Sequence, residues 1–586
     1  MSLQSSEFPA AAAAPAAHGR RALTLTRVVS LAVFAAIAAW IVLTFRDYGI
    51  SNDEYVQHTY GQLLVAWYAS GFTDDRAFHY INLYLYGGLF DLVAAGLEHY
   101  VPLPVYEWRH LLSASCGFVG LIGVWRLARL LGGEKAGILA VLMLAFTGMY
   151  GGAMFTHTKD VPFAAAMVWS LYFVTVCAVQ FPRAPGWRSV LGLGLAIGSA
   201  FGLRVGGVFA VFYLVLAVAT GMVLLRDWRL PLRLAPRIAV AAAIALAITA
   251  ATWPWSMLPP TNLFKAMGAF SNFAFDMTTL FNGQEYPIDH IPPSYMPEYL
   301  AIKLPEITLL GLMAALAAVL VAGFALLRRG GALAALRHAL AAHPRRVLGF
   351  LPLVLAILVP MAFAVLDDPP LYNGIRHFLF VLPPVTVLAA LGLQAAWRGL
   401  SARSRVAGAG FALAALALFA FNAVSFLRMH PYEYVAYNQL VGGTAGAWGR
   451  FEGDYWSTSL REAALKLRQG VEHEGPAGRR YTVSVCAEDV QASTYLGPNF
   501  DLVEEWDDAD FLLAARHVGC DGAPGLPYAS VSREGIPLAA IVDMRMHRKS
   551  IVPPGVTPSE DDEGFDLAPP VATLKDGTAQ VAKAKP

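Results

Sequence analysis

A chain of 586 residues in which 56% are hydrophobic and 15% charged, with a mean hydropathy of +0.50, is too apolar for a soluble globular protein, where about a quarter of residues carry charge. The bilayer is its solvent, and the fold class is an α-helical polytopic membrane protein. A formal net charge of +1 gives no bias towards nucleic acid, so the electrostatic information lies in where Lys and Arg fall along the chain.

In chain order, residues 1–27 are rich in Ala and Pro and basic at Arg20, Arg21 and Arg27, and read as a disordered cytoplasmic tail. Residues 28–45 are apolar over a length that crosses about 30 Å of hydrocarbon, with no cleavage site following, and read as an uncleaved anchor. Ten further spans are predicted at 108–125, 136–155, 161–181, 189–203, 206–225, 238–256, 305–327, 347–366, 377–397 and 406–426, about eleven in all. Alternate loops hold Arg126, Arg129 and Lys135, then Arg183 and Arg188, then Arg226 to Arg237, then Arg328 to Arg346, then Arg398 to Arg405. The positive-inside rule puts these in the cytoplasm. Three parts are then periplasmic: 46–107, 257–303 and everything after Met429. The stretch 80–97 is apolar but broken by Gly87, Gly88 and Asp91; a crossing there would invert every later loop against the charge rule, so it reads as interfacial or re-entrant.

Residues 28–429 thus form the transmembrane domain and 430–552 a small periplasmic α/β or α+β domain. Within the latter, 457–469 has helical spacing and 481–486, 511–515 and 538–544 read as strands. Residues 553–586 are rich in Pro and charge and read as a disordered tail. Of the four cysteines, Cys116 and Cys177 lie in predicted spans. Cys486 and Cys520 are exposed to an oxidising compartment and are candidates to pair; no pair has metal-ligand spacing.

Chemistry concentrates on the predicted periplasmic side. Ser51-Asn52-Asp53-Glu54-Tyr55 sets two carboxylates at the end of the first span, where they read either as cap and first-turn acids or as a general base for an attacking hydroxyl. His157-Thr158-Lys159-Asp160-Val161-Pro162-Phe163 closes the third span and reads as a capped helix start or a second part of a site. Arg204 and the pair Arg376-His377 stand where positive charge is disfavoured. They read either as structural ion pairs, with Asp160 or Asp367 as partners, or as cations that meet the phosphate of a lipid-linked sugar.

These segments, with Tyr372-Asn373-Gly374-Ile375-Arg376-His377, resemble glycosyltransferase family 39, the protein O-mannosyltransferase and aminoarabinose transferase group of the GT-C fold, over residues 28–426. The resemblance implies a metal-independent, inverting transfer from a polyprenyl-phosphate sugar, without cofactor, at the face of a bacterial inner membrane. It implies Asp53 as catalytic base, with Glu54 shaping the acceptor side and Asp160 lining the site. Arg376, His377, Arg204 and Lys159 are the candidate donor-phosphate ligands. The acceptor is a hydroxyl of a protein, lipid A or another glycan. A secondary transporter or a non-catalytic membrane scaffold is the alternative. The segment 437–456, through Asp454-Tyr455-Trp456, resembles parts of uncharacterised bacterial relatives.

Overall fold

The computed structural model describes residues 25–271, 277–328, 342–367, 369–474, 478–516, 520 and 522–547. The predicted tail at 553–586, the last residues of the predicted C-terminal domain and most of the predicted N-terminal tail lie outside them. Helix α1 (Leu25–Thr44) takes in the last three residues of that tail. The chain continues through α2 (Glu54–Ala69), α3 (Leu89–Leu97), α4 (Val105–Gly132), α5 (Glu134–Ala145), the single turn α6 (Gly148–Gly151), α7 (Asp160–Gln180) and α8 (Trp187–Phe201). There follow α9 (Val208–Leu225), α10 (Leu230–Thr252), α11 (Asn262–Ser271), the hairpin β1 (Thr278–Phe281) and β2 (Gln284–Pro287), and α12 (Tyr295–Lys303). The last long helices are α13 (Glu306–Leu327), α14 (Pro344–Leu366), α15 (Leu382–Arg403) and α16 (Arg405–Arg428).

Among the described residues nine helical stretches are long and apolar enough to cross a membrane, where the sequence predicts about eleven spans. The two others are shorter. The predicted span 136–155 is the 12-residue α5 followed by α6, and the span 189–203 is the 15-residue α8. The first still runs the depth of the bundle. Glu134, opening α5, accepts a hydrogen bond from Ser30 near the start of α1 at 2.6 Å, whereas the Thr156 carbonyl accepts from Ser51 beyond the end of α1 at 3.3 Å. The segment therefore joins the two ends of α1 with a broken helix. Helix α7 is the central pillar, burying most of its side chains, while α1, α13 and α16 expose apolar residues almost all round, as lipid-facing helices do. The stretch 80–97 contains only short helices and packs against α2 and the ends of α8 and α10.

After α16 a linker leads through α17 (Gly443–Ala447) to α18 (Leu460–Glu474), β3 (Tyr481–Cys486), α19 (Val490–Leu496), β4 (Phe500–Leu502), β5 (Phe511–Ala515), β6 (Leu526–Arg533) and β7 (Ile536–Asp543). The sheet order is β4-β3-β5-β7-β6; β3 pairs parallel with β4 and β5, and β7 antiparallel with β5 and β6. Central strand β5, Phe-Leu-Leu-Ala-Ala, is buried on both faces, which explains its unbroken apolar run. Cys486 and Cys520 form a disulfide, their Cα atoms 6.4 Å apart. The domain is tied to the bundle end that carries Asp53: Gln491 Nε2 donates to the Ile50 carbonyl at 2.7 Å, and Glu452 accepts from Thr279 Oγ1 and the Leu280 amide of the β1–β2 hairpin at 2.7 and 2.9 Å.

Candidate active site

Four stretches far apart in sequence bring charge to that end of the bundle. Asp53 stands at the N-cap of α2 but makes no side-chain cap; its carboxylate accepts from Arg376 Nη2 at 2.9 Å. Asp160, the first residue of α7, accepts from Arg376 Nε at 3.3 Å and, on its other oxygen, from Arg204. Its place at a helix N-terminus suits the dipole, and Pro162 falls in the first turn, where proline is tolerated. Arg376 is delivered by a reversal in which Asn373 and Gly374 have φ of 58° and 66°, a conformation these two residue types adopt at least cost. The Gly374 amide then donates to Tyr295 Oη at 3.0 Å.

Exposure separates the three carboxylates. Asp160 is 3% exposed and Glu54 0%, whereas Asp53 is 37% exposed. Asp160 is thus a buried bridge between two arginines, which need such a partner once out of water. Glu54, expected to shape the acceptor side, lies inside the fold instead. In the Ser-x-x-Glu spacing its carboxylate reaches back to the Ser51 amide at 2.8 Å, and it also meets His110 Nε2 at 3.1 Å. It anchors the turn that presents Asp53.

The cations are graded around Asp160. Lys159 is buried, its Nζ 4.6 Å from the Tyr86 ring, with Arg204 over the same ring at 5.8 Å. Burial pulls the Lys159 pKa down to about 8. Beside Arg204 lies a cavity of about 90 Å³. Arg204, His377, Tyr86 and Tyr372 contribute its polar groups, and Phe163, Phe209, Phe363, Phe378 and Phe380 its apolar walls. Arg204 Nε and His377 Nδ1 are buried without a hydrogen-bond partner among the described residues, so both retain bonding capacity for an incoming oxygen. No group of three or more His, Cys, Asp or Glu side chains among the described residues is gathered as metal ligands would be; these carboxylates meet arginines.

The structure thus unites Asp53, Asp160, Arg204 and Arg376, sets Lys159 and His377 at their border, and removes Glu54 to a supporting position. Two further contributors come from places that sequence reasoning did not assign to the site. Behind Asp53, Asp91 and Arg109 form a fully buried pair at 2.8 Å, and Gln57 accepts from Arg109 and Thr158, binding α2, α3 and α4 to the start of α7. Asp91 had signalled itself only as a break in an apolar run. From the C-terminal side, Trp456 lies over the Arg376 guanidinium at 4.1 Å.

Residues 109–255 match the protein family described as Dolichyl-phosphate-mannose-protein mannosyltransferase. They form a glycosyltransferase family 39 segment. Helices long and apolar enough to cross a membrane lie within this segment and on both sides of it. The family 39 segment holds Arg109, His157, Lys159, Asp160 and Arg204; Asp53 precedes it, and Arg376 and Trp456 follow it. Among solved structures, ArnT from Cupriavidus metallidurans bound to undecaprenyl phosphate is similar at 14% identity and a TM-score of 0.46, over 88% of this chain and 98% of that one. The oligosaccharyltransferase AglB from Archaeoglobus fulgidus, in complex with an inhibitory peptide and a dolichol-phosphate, is similar at 12% identity and a TM-score of 0.45, over 79% and 63%. No curated protein matches.

Proposed function

We propose that the chain transfers a sugar from a polyprenyl phosphate to an acceptor hydroxyl, with inversion, on the membrane face opposite its Lys- and Arg-rich loops. The observation that carries the reading is a solvent-accessible carboxylate, Asp53, hydrogen-bonded to an arginine beside a cavity that is cationic at its polar end and phenylalanine-walled elsewhere. A lipid phosphate needs both features: cationic donors for its oxygens and an apolar channel for its chain. The family's donor, a dolichyl-phosphate sugar, has that chemistry.

In this reading the donor phosphate lies against Arg204, His377 and Lys159, with Arg376 between phosphate and base. Asp53 takes the proton of the acceptor hydroxyl as its oxygen forms the new bond to the anomeric carbon. The bond from that carbon to the phosphate oxygen breaks, and its electron pair leaves on the polyprenyl phosphate, whose charge the arginines stabilise. Asp160 orients both arginines and touches neither reactant. The acceptor class, whether protein hydroxyl, lipid A or glycan, belongs to the open side of Asp53.

The test is transfer by the full-length protein in lipid, with radiolabelled polyprenyl-phosphate sugars and a membrane extract as acceptor. Asp53→Asn is expected to lower kcat by about 100-fold or more while undecaprenyl phosphate still binds, because a positioned base contributes on that scale. Undiminished turnover in folded Asp53→Asn would remove Asp53 from the role.

A further inference from the structure

We infer that Trp456, carried by the C-terminal domain, is a positioning residue for Arg376, so that the domain completes the transfer site as well as covering it. The inference rests on the role proposed above for Arg376.

Three observations converge on it. The Trp456 ring centroid lies 4.1 Å from the Arg376 guanidinium carbon, nearer than the Tyr372 ring at 5.4 Å, while Nε and Nη2 of the same guanidinium meet Asp160 and Asp53 at 3.3 and 2.9 Å. The cation is thereby held by carboxylates at two of its nitrogens and by an indole ring beside it, and a desolvated arginine gains most from such a contact. Second, the indole is itself held. Its Nε1–H donates to His157 Nε2 at 3.0 Å, and Tyr455 Oη lies 2.7 Å from the same nitrogen. Burial pushes the His157 pKa down to about 3, so the ring is neutral and this nitrogen can serve as acceptor. His157 stands three residues before Asp160, so one short segment holds both the carboxylate and the indole that flank Arg376. Third, the backbone around Trp456 is built to place it. Asp454 accepts from the Thr458 and Ser459 amides at 3.1 and 2.9 Å and from Tyr434 Oη, Ser457 has a φ of 54°, and Gln491 of α19 donates at 2.7 Å to both the Trp456 and the Ile50 carbonyls. Ile50 lies three residues before Asp53. The same domain therefore touches the base's own turn and the arginine that faces it.

A residue that merely fills space here would affect stability; one that sets Arg376 affects phosphate binding through Arg376. The experiment measures the Kd of undecaprenyl phosphate and the unfolding midpoint for the full-length protein carrying Trp456→Leu, Trp456→Phe, His157→Leu, Arg376→Gln and the pair Trp456→Leu with Arg376→Gln. Trp456→Leu and His157→Leu are expected to weaken binding by about tenfold, and Trp456→Phe, which keeps a ring face, by no more than about threefold. In the Arg376→Gln background Trp456→Leu is expected to cost nothing further, since its effect passes through the missing guanidinium. An equal loss on both backgrounds, or wild-type binding in Trp456→Leu, overturns the inference and leaves the proposed function standing. Wild-type binding in Arg376→Gln overturns both the phosphate role of Arg376 and the inference built on it. Should Trp456→Leu fail to fold, the milder His157→Gln, which keeps an acceptor for the indole, must bind more tightly than His157→Leu; equality of those two overturns the inference.

Discussion

Around Asp160, Arg204, Arg376 and Lys159 supply positive charge, and Asp53 and Asp160 offset two of those charges. One positive charge remains, matching the single negative charge of a phosphodiester donor, and it depends on Lys159 keeping its proton. With burial holding that pKa near 8, the excess is present at neutral pH and disappears as the solution rises through about pH 8. Donor KM is therefore expected to rise between about pH 7 and 9, and Lys159→Arg to flatten the rise because a guanidinium stays charged there. Lys159→Met should show a high donor KM without that inflection; an inflection surviving in it would assign the titration elsewhere. The sequence exposes this cluster because its cations stand apart from the loops rich in Lys and Arg and, once buried, must be matched by anions. Adjacency misleads for Glu54: next to Asp53 in the chain, it turns inward because the Ser51 amide lies within its reach.

At the scale of elements, close approach governs the site. The segment Tyr84 to Leu89 docks on the ends of α8 and α10, with the Gly88 amide donating to the Thr252 carbonyl at 3.0 Å and the Leu89 amide to the Gly202 carbonyl at 2.9 Å. A methyl group on Gly87 would come within 2.2 Å of the Gly202 backbone, which cannot yield without moving the helix end. That docking holds Tyr86 under Lys159 and Arg204. Gly87→Ala is therefore expected to destabilise by about 1–3 kcal/mol, as overpacking does, and to raise donor KM more than it lowers kcat. Steady-state kinetics beside the unfolding midpoint would check it; a lowered midpoint with unchanged KM would mean that Tyr86 has no part in donor binding. The same effect explains a span that the apolar pattern draws too long. Residues 136–155 break at Phe146 and Thr147, between α5 and α6, where the linker after α16 packs so close that a side chain on Gly148 would come within 2.0 Å of the Glu433 carbonyl. Hydrophobic length is local information. The arrival of a segment nearly three hundred residues later is not, and neither is the arrival of Trp456 over Arg376.

At the scale of the molecule, the bundle and the C-terminal domain also meet through a titratable knot. His430, just after α16, contacts Asp47 beyond α1 at 3.1 Å and Glu433 at 2.7 Å; Tyr48 donates to Glu433 at 3.2 Å, and Arg533 of β6 donates to the His430 carbonyl at 2.8 Å while pairing with Glu462 of α18. Burial disfavours the imidazolium, but the hydrogen bonds and charges of Glu433 and Asp47 outweigh it and raise the His430 pKa. A group whose pKa is raised on folding stabilises fully below its unfolded value, about 6.5, and that stability is lost as pH rises through the folded value. The unfolding midpoint of the full-length protein is thus expected to fall on the alkaline side of about pH 6.5 by more in the wild type than in His430→Gln, which cannot take up the proton. Parallel slopes for the two proteins would show that the knot does not titrate. Because the same domain carries Trp456 to Arg376, loosening the knot is expected to weaken undecaprenyl phosphate binding over the same range in the wild type, and by less in the variant. Stability and donor affinity are then two readings of one contact, in which the domain docks on the bundle and, in docking, sets the arginine that faces the base.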